Sequence, residues 1–380
     1  MGPVGWWQRA DPYWEESLFD AALEWSCRPS PGGGGFIRSS APFPVADNRP
    51  ARDARDRDAE AADIDEEDLI ELRRRAVGTL ALAGVMSVEQ SAALAGVGSL
   101  DGYRLLFEPL SAAGITEGSW HHASAAPHPR VLLWRIRKAA PYDRFVRASL
   151  IDGDTHRWWC GADPWSGQVS RGHVRHQVLA VELALRALET DTAGRWAGWL
   201  PEGVCLPEQF CPPGHPARNG GHRVRADGCL VRVDGAPVWL EVQTGTSQAE
   251  ADDKVRRWSE LMHAGDGLAG LVLFVVAPRH PKTSLATTVV KRAITETAPE
   301  SLKDRFWVCV WDDLSPDHCQ LSHWASPLRA ARLTDSGWEP STIAEAPVAG
   351  ADASLPSRMA GLGPVPAWLS RSGSCHEAAL

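Results

Sequence analysis

The sequence predicts an α/β protein with two folded parts that differ in their pattern of helices and strands. Residues 66–138 contain three helix-like segments followed by two strand-like segments, whereas residues 173–332 read in the order α-β-β-β-α-β-α-β. The run LAGLVLFVVAP in the second part is continuously apolar, which is typical of a central strand buried on both faces of a sheet. We therefore expect a small helical unit with a hairpin, followed by a domain with a mixed central sheet.

Composition limits the classes to which the chain can belong. Its 380 residues allow two or three domains, and a hydrophobic share of 44% is enough for sizeable cores. No stretch approaches the roughly 20 apolar residues of a membrane span. The N-terminus has no basic start followed by an apolar core, so we expect no secretory signal and a cytoplasmic location.

The eight cysteines lie at irregular spacings. Without an export signal, this spacing argues against a disulfide framework. A zinc site would have to draw on residues with no paired CxxC pattern, so scattered thiols are the favoured interpretation. The candidate zinc ligands would be Cys205, Cys211, His215, His222 and Cys229.

The formal net charge of −9 is unevenly distributed along the chain. Residues 1–68 hold 15 acidic and 7 basic side chains, whereas residues 69–150 hold 10 basic and 6 acidic ones. The acidity is thus concentrated in the N-terminal segment, and the next segment is basic. This distribution permits nucleic-acid binding without requiring it.

Three segments outside the folded parts have no sustained hydrophobic period. Residues 1–65 predict an acidic, largely disordered tail, within which residues 11–25 are expected to form a short helix that docks elsewhere. Residues 139–172 predict an irregular connector. Residues 333–380 are rich in Pro, Ala, Ser and Gly and predict a loose C-terminal tail.

The first folded part, residues 66–138, has the order of helices and strands that is typical of a winged helix-turn-helix. A first helix ends at Gly84, and a second begins at Ser87 with Gln90 three residues later, which is a capping box. A third helix ends at Gly114, and two strands of a hairpin follow. In this arrangement the third helix would enter the major groove of DNA.

The exposed face of the third helix and the hairpin wing supply candidate DNA contacts. These are Tyr103, Arg104, Arg130, Arg135, Arg137 and Lys138. The alternative is a protein-interaction module, because Gly102 and Pro109 make the third helix less regular than a good recognition helix.

In the second part, residues 173–332, acidic side chains occur on two strands of a predicted hairpin. Asp227 lies in one strand, Asp234-Gly235 marks the turn, and Glu241 and Gln243 lie in the partner strand. Since adjacent strands are about 5 Å apart, Asp227 and Glu241 can converge on one ion if they share a face of the sheet. Carboxylate oxygens suit Mg²⁺ or Mn²⁺, which can polarise a phosphodiester. The alternative is that Glu241 is the solvated end of a strand.

This order and these residues resemble the PD-(D/E)XK nuclease fold. The matching runs are Ala226-Asp227-Gly228 and Glu241-Val242-Gln243. The resemblance implies that Asp227 and Glu241 bind metal, with Glu182 on the preceding helix as an additional acid. The family's Pro is an Ala here and its Lys is Gln243; Lys254, on the following helix, could supply the positive charge. The implied catalytic residues are Asp227, Glu241, Gln243 and Lys254.

A narrower resemblance, to the replication-relaxation family of actinobacterial plasmids and mobile elements, covers residues 66–315. The residues that carry it are His176, Arg225, Asp227, Glu241, Gly245, Thr246 and Lys254. It implies double-stranded DNA as a partner, possible association with a relaxase or replication protein, and Mg²⁺ or Mn²⁺ if the site is catalytic. The alternatives are a non-enzymatic accessory factor and a winged-helix transcriptional regulator, each with a degenerate nuclease domain.

Overall fold

The computed structural model describes residues 12–14, 23–26, 66–95, 102–112, 115–121, 133–136, 173–191, 193–211, 215, 224–263, 267–279, 281–314 and 328–360. The chain divides into two compact units. The first comprises Met1–Val4 and Glu15–Val174, and the second comprises Gly5–Trp14 and Arg175–Leu380. The predicted connector, residues 139–172, lies outside the described residues. None of the described helices is long and apolar enough to cross a membrane.

The first unit combines three helical segments with a four-stranded antiparallel sheet. Its elements are β1 (Leu23–Ser26), α1 (Glu66–Ala83), β2 (Val85–Ser87), α2 (Val88–Ala95), a π-helical turn (Gly102–Phe107), α3 (Glu108–Ala112), β3 (Thr116–His121) and β4 (Leu133–Ile136). The strand order is β1-β3-β4-β2. The short strand between the first two helices therefore pairs with the second strand of the β3–β4 hairpin.

Local sequence explains the helix ends in this unit. Gly84 ends α1 with a positive φ of 82° and donates its N–H to Leu80 O at 2.9 Å. The predicted capping box is confirmed: Ser87 N–H donates to Gln90 Oε1, and Gln90 N–H donates to Ser87 Oγ, each at 3.0 Å. The third helix is less regular than a single α-helix, because it starts as the π-helical turn and carries Pro109, which lacks an N–H donor.

The second unit is built on a seven-stranded sheet. Its elements are a 3₁₀ turn (Pro12–Trp14), α4 (Val174–Glu189), β5 (Trp196–Pro201), a 3₁₀ turn (Glu202–Val204), α5 (Pro207–Phe210), β6 (Gly228–Arg232), β7 (Pro237–Gln243), α6 (Gln248–His263), β8 (Leu271–Val276), α7 (Thr283–Thr297), a 3₁₀ turn (Glu300–Arg305), β9 (Phe306–Val310), α8 (Trp311–Leu314), β10 (Arg329–Thr334), β11 (Gly337–Thr342), a 3₁₀ turn (Ile343–Glu345) and α9 (Leu355–Ala360).

The sheet order is β11-β10-β9-β8-β7-β6-β5. Strands β7, β8 and β9 are parallel to one another, and the other neighbouring pairs are antiparallel. The predicted α/β class with a mixed central sheet is therefore confirmed. Helices α6 and α7 cover one face, where Trp258 and Ile294 belong to the same apolar cluster as Trp239, Phe274 and Phe306 of the strands.

The turn between β6 and β7 depends on a glycine. Gly235 has a φ of +83°, and a Cβ built on it would lie 1.9 Å from Asp352 O. Gly337 also has a positive φ, +112°, but a Cβ there would meet nothing within 4 Å. We expect Gly235→Ala to lower the free energy of unfolding by about 3 kcal/mol and Gly337→Ala by about 1 kcal/mol. Urea unfolding measures both; equal losses would contradict the close approach at Gly235.

The prediction of a loose tail from residue 333 is wrong for residues 333–360. Strands β10 and β11 pair over six positions, and the turn after them buries Ile343. Arg232 donates hydrogen bonds to Ile343 O at 3.4 Å and to Ala346 O. Further along, Leu355 joins the main apolar cluster. A few well-placed apolar side chains and one arginine thus order a segment whose composition is typical of a linker.

The prediction of a helix over residues 11–25 is wrong, whereas Tyr13 of this segment does pack against a distant part of the chain, as expected. Tyr13 is 2% exposed and stacks against Trp311, with ring centroids 6.0 Å apart. Leu23–Ser26 is a strand that pairs with β3, and not the end of a helix over residues 11–25. The aromatic ring of Tyr13 therefore finds a buried partner despite the acidic composition of the segment. The remainder of residues 1–65 lies outside the described part of the chain.

Candidate functional site

Two carboxylates face each other at the end of the β6–β7 pair. Gly228 of β6 is opposite Leu240 of β7, and Asp227 N–H donates to Leu240 O at 2.9 Å. Continuing this register by one residue places Asp227 opposite Glu241. Directly opposed residues lie on the same face of a sheet, with Cβ atoms about 5 Å apart. The two side chains therefore lie at one corner of the sheet, as the sequence led us to expect.

Asp227 is held by hydrogen bonds and is ionised. Its Oδ2 accepts the N–H of Val242 at 2.7 Å and lies 3.8 Å from His176 Nδ1. The other nitrogen of His176, Nε2, is 2.8 Å from Thr244 Oγ1, which fixes the ring. Burial acts to raise the pKa of Asp227, but the neighbouring His176, the charge of Lys254 and the Val242 N–H outweigh burial and lower it.

Glu241 is bound on both oxygens by side chains of α6. Trp258 Nε1 donates to Oε1 at 2.9 Å, and Lys254 Nζ lies 2.9 Å from Oε2. Lys254 and Trp258 are four residues apart, so both project from the same side of the helix. Burial acts to lower the pKa of Lys254, but the charges of Glu241 and Asp227 raise it. The lysine therefore places a positive charge beside Glu241, where it also acts on Asp227.

Gln243 supports the turn that follows β7. It lies two residues after Glu241 and so on the same side of the strand. Gln243 is 3% exposed, and its side-chain Nε2 donates a hydrogen bond to Gly245 O at 3.1 Å. The amide thereby fixes the backbone that leads into α6. Lys254, and not Gln243, is the cationic group next to Glu241.

A third acid, Glu202, extends the row and was missed in the sequence. Pro201 of β5 is opposite Gly228, so the next residue, Glu202, adjoins Asp227. Gln177 Nε2 donates to Glu202 Oε2 at 2.5 Å, and Arg225 Nη1 is 3.9 Å from Oε1. Burial, followed by the charge of Asp227, raises the pKa of Glu202. Proximity to Asp227 thus makes Glu202 a candidate for any cation bound at this corner.

Glu182 does not belong to this group. Its carboxylate is 2.8 Å from Arg186 Nε, and both side chains are fully buried. The Arg186 guanidinium lies over the Trp311 ring, 5.8 Å from its centroid. Glu182 is six residues after His176, which is about 9 Å along the helix and on a different side. Expecting Glu182 to be a metal ligand was therefore wrong: it forms a buried structural ion pair, and Glu202 is the third acid at the corner.

The predicted DNA contacts lie in the first unit. Arg135 is half-buried and forms an ion pair across the hairpin, with Nη2 2.7 Å from Glu117 Oε1. Its charge is thus already balanced, so it is a poorer phosphate contact than expected. Tyr103 and Arg104 belong to the π-helical turn, and their side chains lie outside the described residues. The same holds for the whole of Arg130, Arg137 and Lys138.

The cysteines near the site do not form a metal centre among the described residues. Cys205, Cys211 and Cys229 are buried free thiols, and Cys205 Sγ lies 3.1 Å from Leu200 O. Burial raises the pKa of Cys205 well above its usual range. These thiols are therefore core residues. His222 lies outside the described residues.

Within the described ranges, no three His, Cys, Asp or Glu side chains form a complete metal-ligand set. Mg²⁺ does not require one, because it keeps several waters and binds through one or two carboxylates together with substrate phosphates. Asp227 and Glu241, flanked by Glu202, fit that requirement. No family model, curated protein or solved structure matches the chain. The interpretation of the site follows from its chemistry: carboxylate oxygens, one protonated lysine and one histidine lie together at the ends of strands β6 and β7.

Proposed function

We propose that the protein is a cytoplasmic DNA-binding protein of a plasmid or mobile element whose second unit carries a Mg²⁺- or Mn²⁺-dependent nuclease site. The observation that carries this proposal is the opposition of Asp227 and Glu241 on adjacent strands, with Lys254 Nζ 2.9 Å from Glu241. Paired carboxylates beside a protonated lysine supply both a cation site and a charge for a phosphate group.

The fold supports the same proposal. In the second unit, a helix precedes an antiparallel β5-β6-β7 meander, and β8 and β9 follow in parallel to β7. The resemblance to PD-(D/E)XK nucleases implies this order, with the Asp on the second strand and the Glu on the third. In the first unit, three helical segments, an intervening strand β2 and the β3–β4 hairpin follow the order expected of a winged helix-turn-helix.

Asp227 and Glu241 would hold the metal ion, with Glu202 beside them. A bound divalent ion would polarise the scissile phosphate and lower the pKa of an attacking water. Neighbouring groups hold the two carboxylates in place: the backbone N–H of Val242 and the side chain of His176 orient Asp227, and the indole of Trp258 orients Glu241. Lys254, which is protonated, is placed to donate to a phosphate oxygen and offset the charge that develops as the P–O bond breaks.

Lys254 carries a specific prediction. We expect Lys254→Met to lower the nicking rate roughly 100-fold, because one charged donor to the transition state is lost, while affinity for duplex DNA changes little. Lys282→Met, at an exposed lysine before α7, is the matched control and should leave nicking unchanged. A Lys254→Met variant that nicks at the normal rate while folded would exclude the lysine from the reaction.

The function is tested by incubating purified protein with supercoiled plasmid in Mg²⁺, in Mn²⁺ and in a chelator. Metal-dependent conversion to open circles, lost in both Asp227→Ala and Glu241→Ala, is the expected result. Uncut plasmid with DNA binding intact would instead favour the rival function.

The alternative function is that of a non-enzymatic accessory factor or transcriptional regulator. Such a protein would bind DNA through the first unit and a relaxase or replication protein through the second. Two observations favour it: Gln243 holds Gly245 O, and Lys254 already neutralises Glu241. In this case the carboxylates would have no catalytic role, and their replacement would leave DNA binding and partner binding intact.

A further inference from the structure

A cavity of about 500 Å³ lies under the β10–β11 hairpin and shares no residue with the carboxylate corner. Its volume falls in the range of small-molecule sites, roughly 300–1,000 Å³. The polar and charged side chains that line it are Arg329, Arg332, Ser341, Thr342 and Glu345. The hairpin register places Thr342 directly opposite Arg329, and Ser341 opposite the small side chain of Ala330. Thr342 therefore shares a face of the hairpin with Arg329, and Ser341 shares the other face with Arg332; both pairs line the cavity.

Neither arginine has an acidic partner among the residues that the structure describes. Arg329 is exposed, and no hydrogen bond or ion pair engages its side chain in the part of the chain that the structure describes. Arg332 Nε is buried and has no hydrogen-bond partner. A buried donor without a partner is costly, so Arg332 calls for an acceptor at this cavity, and the exposed Arg329 adds a second positive charge beside it.

The setting of Arg332 suits a forked contact. Its guanidinium lies over the Trp307 ring, 5.7 Å from the centroid. This distance suits a cation–π contact, and a guanidinium held in this way can still donate N–H groups to an acceptor. Planar N–H pairs of this kind match the oxygens of phosphate or carboxylate.

The one acid in the lining does not cancel this charge. Glu345 Oε1 is 3.2 Å from Arg195 Nη1, and Arg195 also pairs with Asp191, so Glu345 offsets at most one of the two positive charges of Arg329 and Arg332. The charge that remains in the lining is positive. Two guanidinium groups and two hydroxyls offer more donors than the two oxygens of a carboxylate can accept, and this favours a phosphate group.

We propose that this cavity binds a phosphate group, carried either by a free nucleotide-sized ligand or by the backbone of nucleic acid. Arg329 and Arg332 bind the phosphate oxygens, and Ser341 and Thr342 add hydroxyl donors. The site is independent of the nuclease proposal and does not need the carboxylate corner to be active.

The test is calorimetric titration of the full chain with sodium pyrophosphate at constant ionic strength. We expect binding to the unmodified protein and to Arg292→Gln, a control at an exposed arginine paired with Glu296. Arg329→Gln and Arg332→Gln should each bind at least tenfold more weakly, and Arg332→Lys, which keeps the charge but loses the fork, several-fold more weakly. If Arg332→Gln does not fold, the exposed Arg329 carries the test.

A second arm separates the two sources of phosphate. The same variants are titrated with duplex and single-stranded DNA. Loss of pyrophosphate binding with unchanged DNA affinity assigns the cavity to a free phosphate ligand, whereas weaker DNA binding in Arg329→Gln and Arg332→Gln, but not in Arg292→Gln, assigns it to the nucleic-acid backbone. Unchanged affinity of both arginine variants for pyrophosphate and for DNA would overturn the proposal.

Discussion

Replacing Asp227 with asparagine is expected to lower the rate of metal-dependent plasmid nicking roughly a thousandfold, because a metal ligand contributes several kcal/mol and each tenfold change is about 1.4 kcal/mol. Asparagine has the same shape and keeps an oxygen that can accept the Val242 N–H, which Asp227 Oδ2 accepts at 2.7 Å. The substitution therefore removes the negative charge with little disturbance of the strand pair. The measurement is the initial rate of open-circle formation from supercoiled plasmid.

Two controls separate loss of chemistry from loss of folding or of DNA binding. Asp253→Asn removes an exposed carboxylate from α6, where Asp253 pairs with Arg256 and Arg257, and it should nick normally. Duplex affinity of Asp227→Asn, measured at one fixed salt concentration, should be no lower than that of the unmodified protein, since no positive charge is lost. Nicking by Asp227→Asn at more than a tenth of the normal rate would exclude Asp227 as the principal ligand.

Glu182→Ala is expected to lower the free energy of unfolding by about 3–5 kcal/mol, because it leaves the buried charge of Arg186 without its counter-ion. Both side chains are fully buried and 2.8 Å apart. The comparison pair is Arg292 and Glu296 on α7, which is exposed; Glu296→Ala should cost only about 0.3–0.5 kcal/mol. Urea unfolding followed by tryptophan fluorescence measures both.

Replacing both partners tests whether the cost arises from the unpaired charge. A Glu182→Leu/Arg186→Met double variant should recover most of the stability lost in Glu182→Ala, since apolar residues of similar volume replace a buried pair at little cost. A small loss in Glu182→Ala, together with weaker metal binding, would contradict the structural role and restore Glu182 as a ligand.

The position of the carboxylate pair could be predicted because a short turn sets the register. The Asp234-Gly235 turn joins β6 directly to β7, so the pairing of Asp227 with Glu241 follows from counting along the hairpin. Glu202 could not be found in this way. The strand before it reaches β6 only through a long segment, and no tight turn fixes which residue of β5 adjoins Asp227.

Helical periodicity explains why the position of Lys254 beside Glu241 could be predicted from the sequence and why the position of Glu182 could not. Lys254 shares a helix side with Trp258, whose indole must be buried, so the lysine faces the sheet. For Glu182 the partner is Arg186, also four residues away, and a buried i, i+4 pair reads in the sequence like an ordinary surface pair. Only the burial of α4 on nearly all sides, which depends on the whole fold, distinguishes the two cases.

The C-terminal hairpin shows how composition can hide structure. Residues 328–360 are rich in small residues and proline, and their buried apolar positions are too sparse to give a clear period. Their order comes from long-range contacts, such as Arg232 with the carbonyl oxygens of Ile343 and Ala346. Local patterns do not contain such contacts, so the hairpin and the cavity beneath it emerge only from the folded chain.

The central claim is that Asp227 and Glu241 together bind a divalent metal ion, and Mn²⁺ binding followed by electron paramagnetic resonance tests it most directly, because the readout does not require turnover. The unmodified protein and Asp253→Asn are expected to bind Mn²⁺ with the same affinity, seen as a loss of the signal of free Mn²⁺. Asp227→Asn and Glu241→Gln are expected to lose that binding while remaining folded. Mn²⁺ binding that is absent from the unmodified protein, or equally strong in all four proteins, would contradict a metal site at this corner of the sheet.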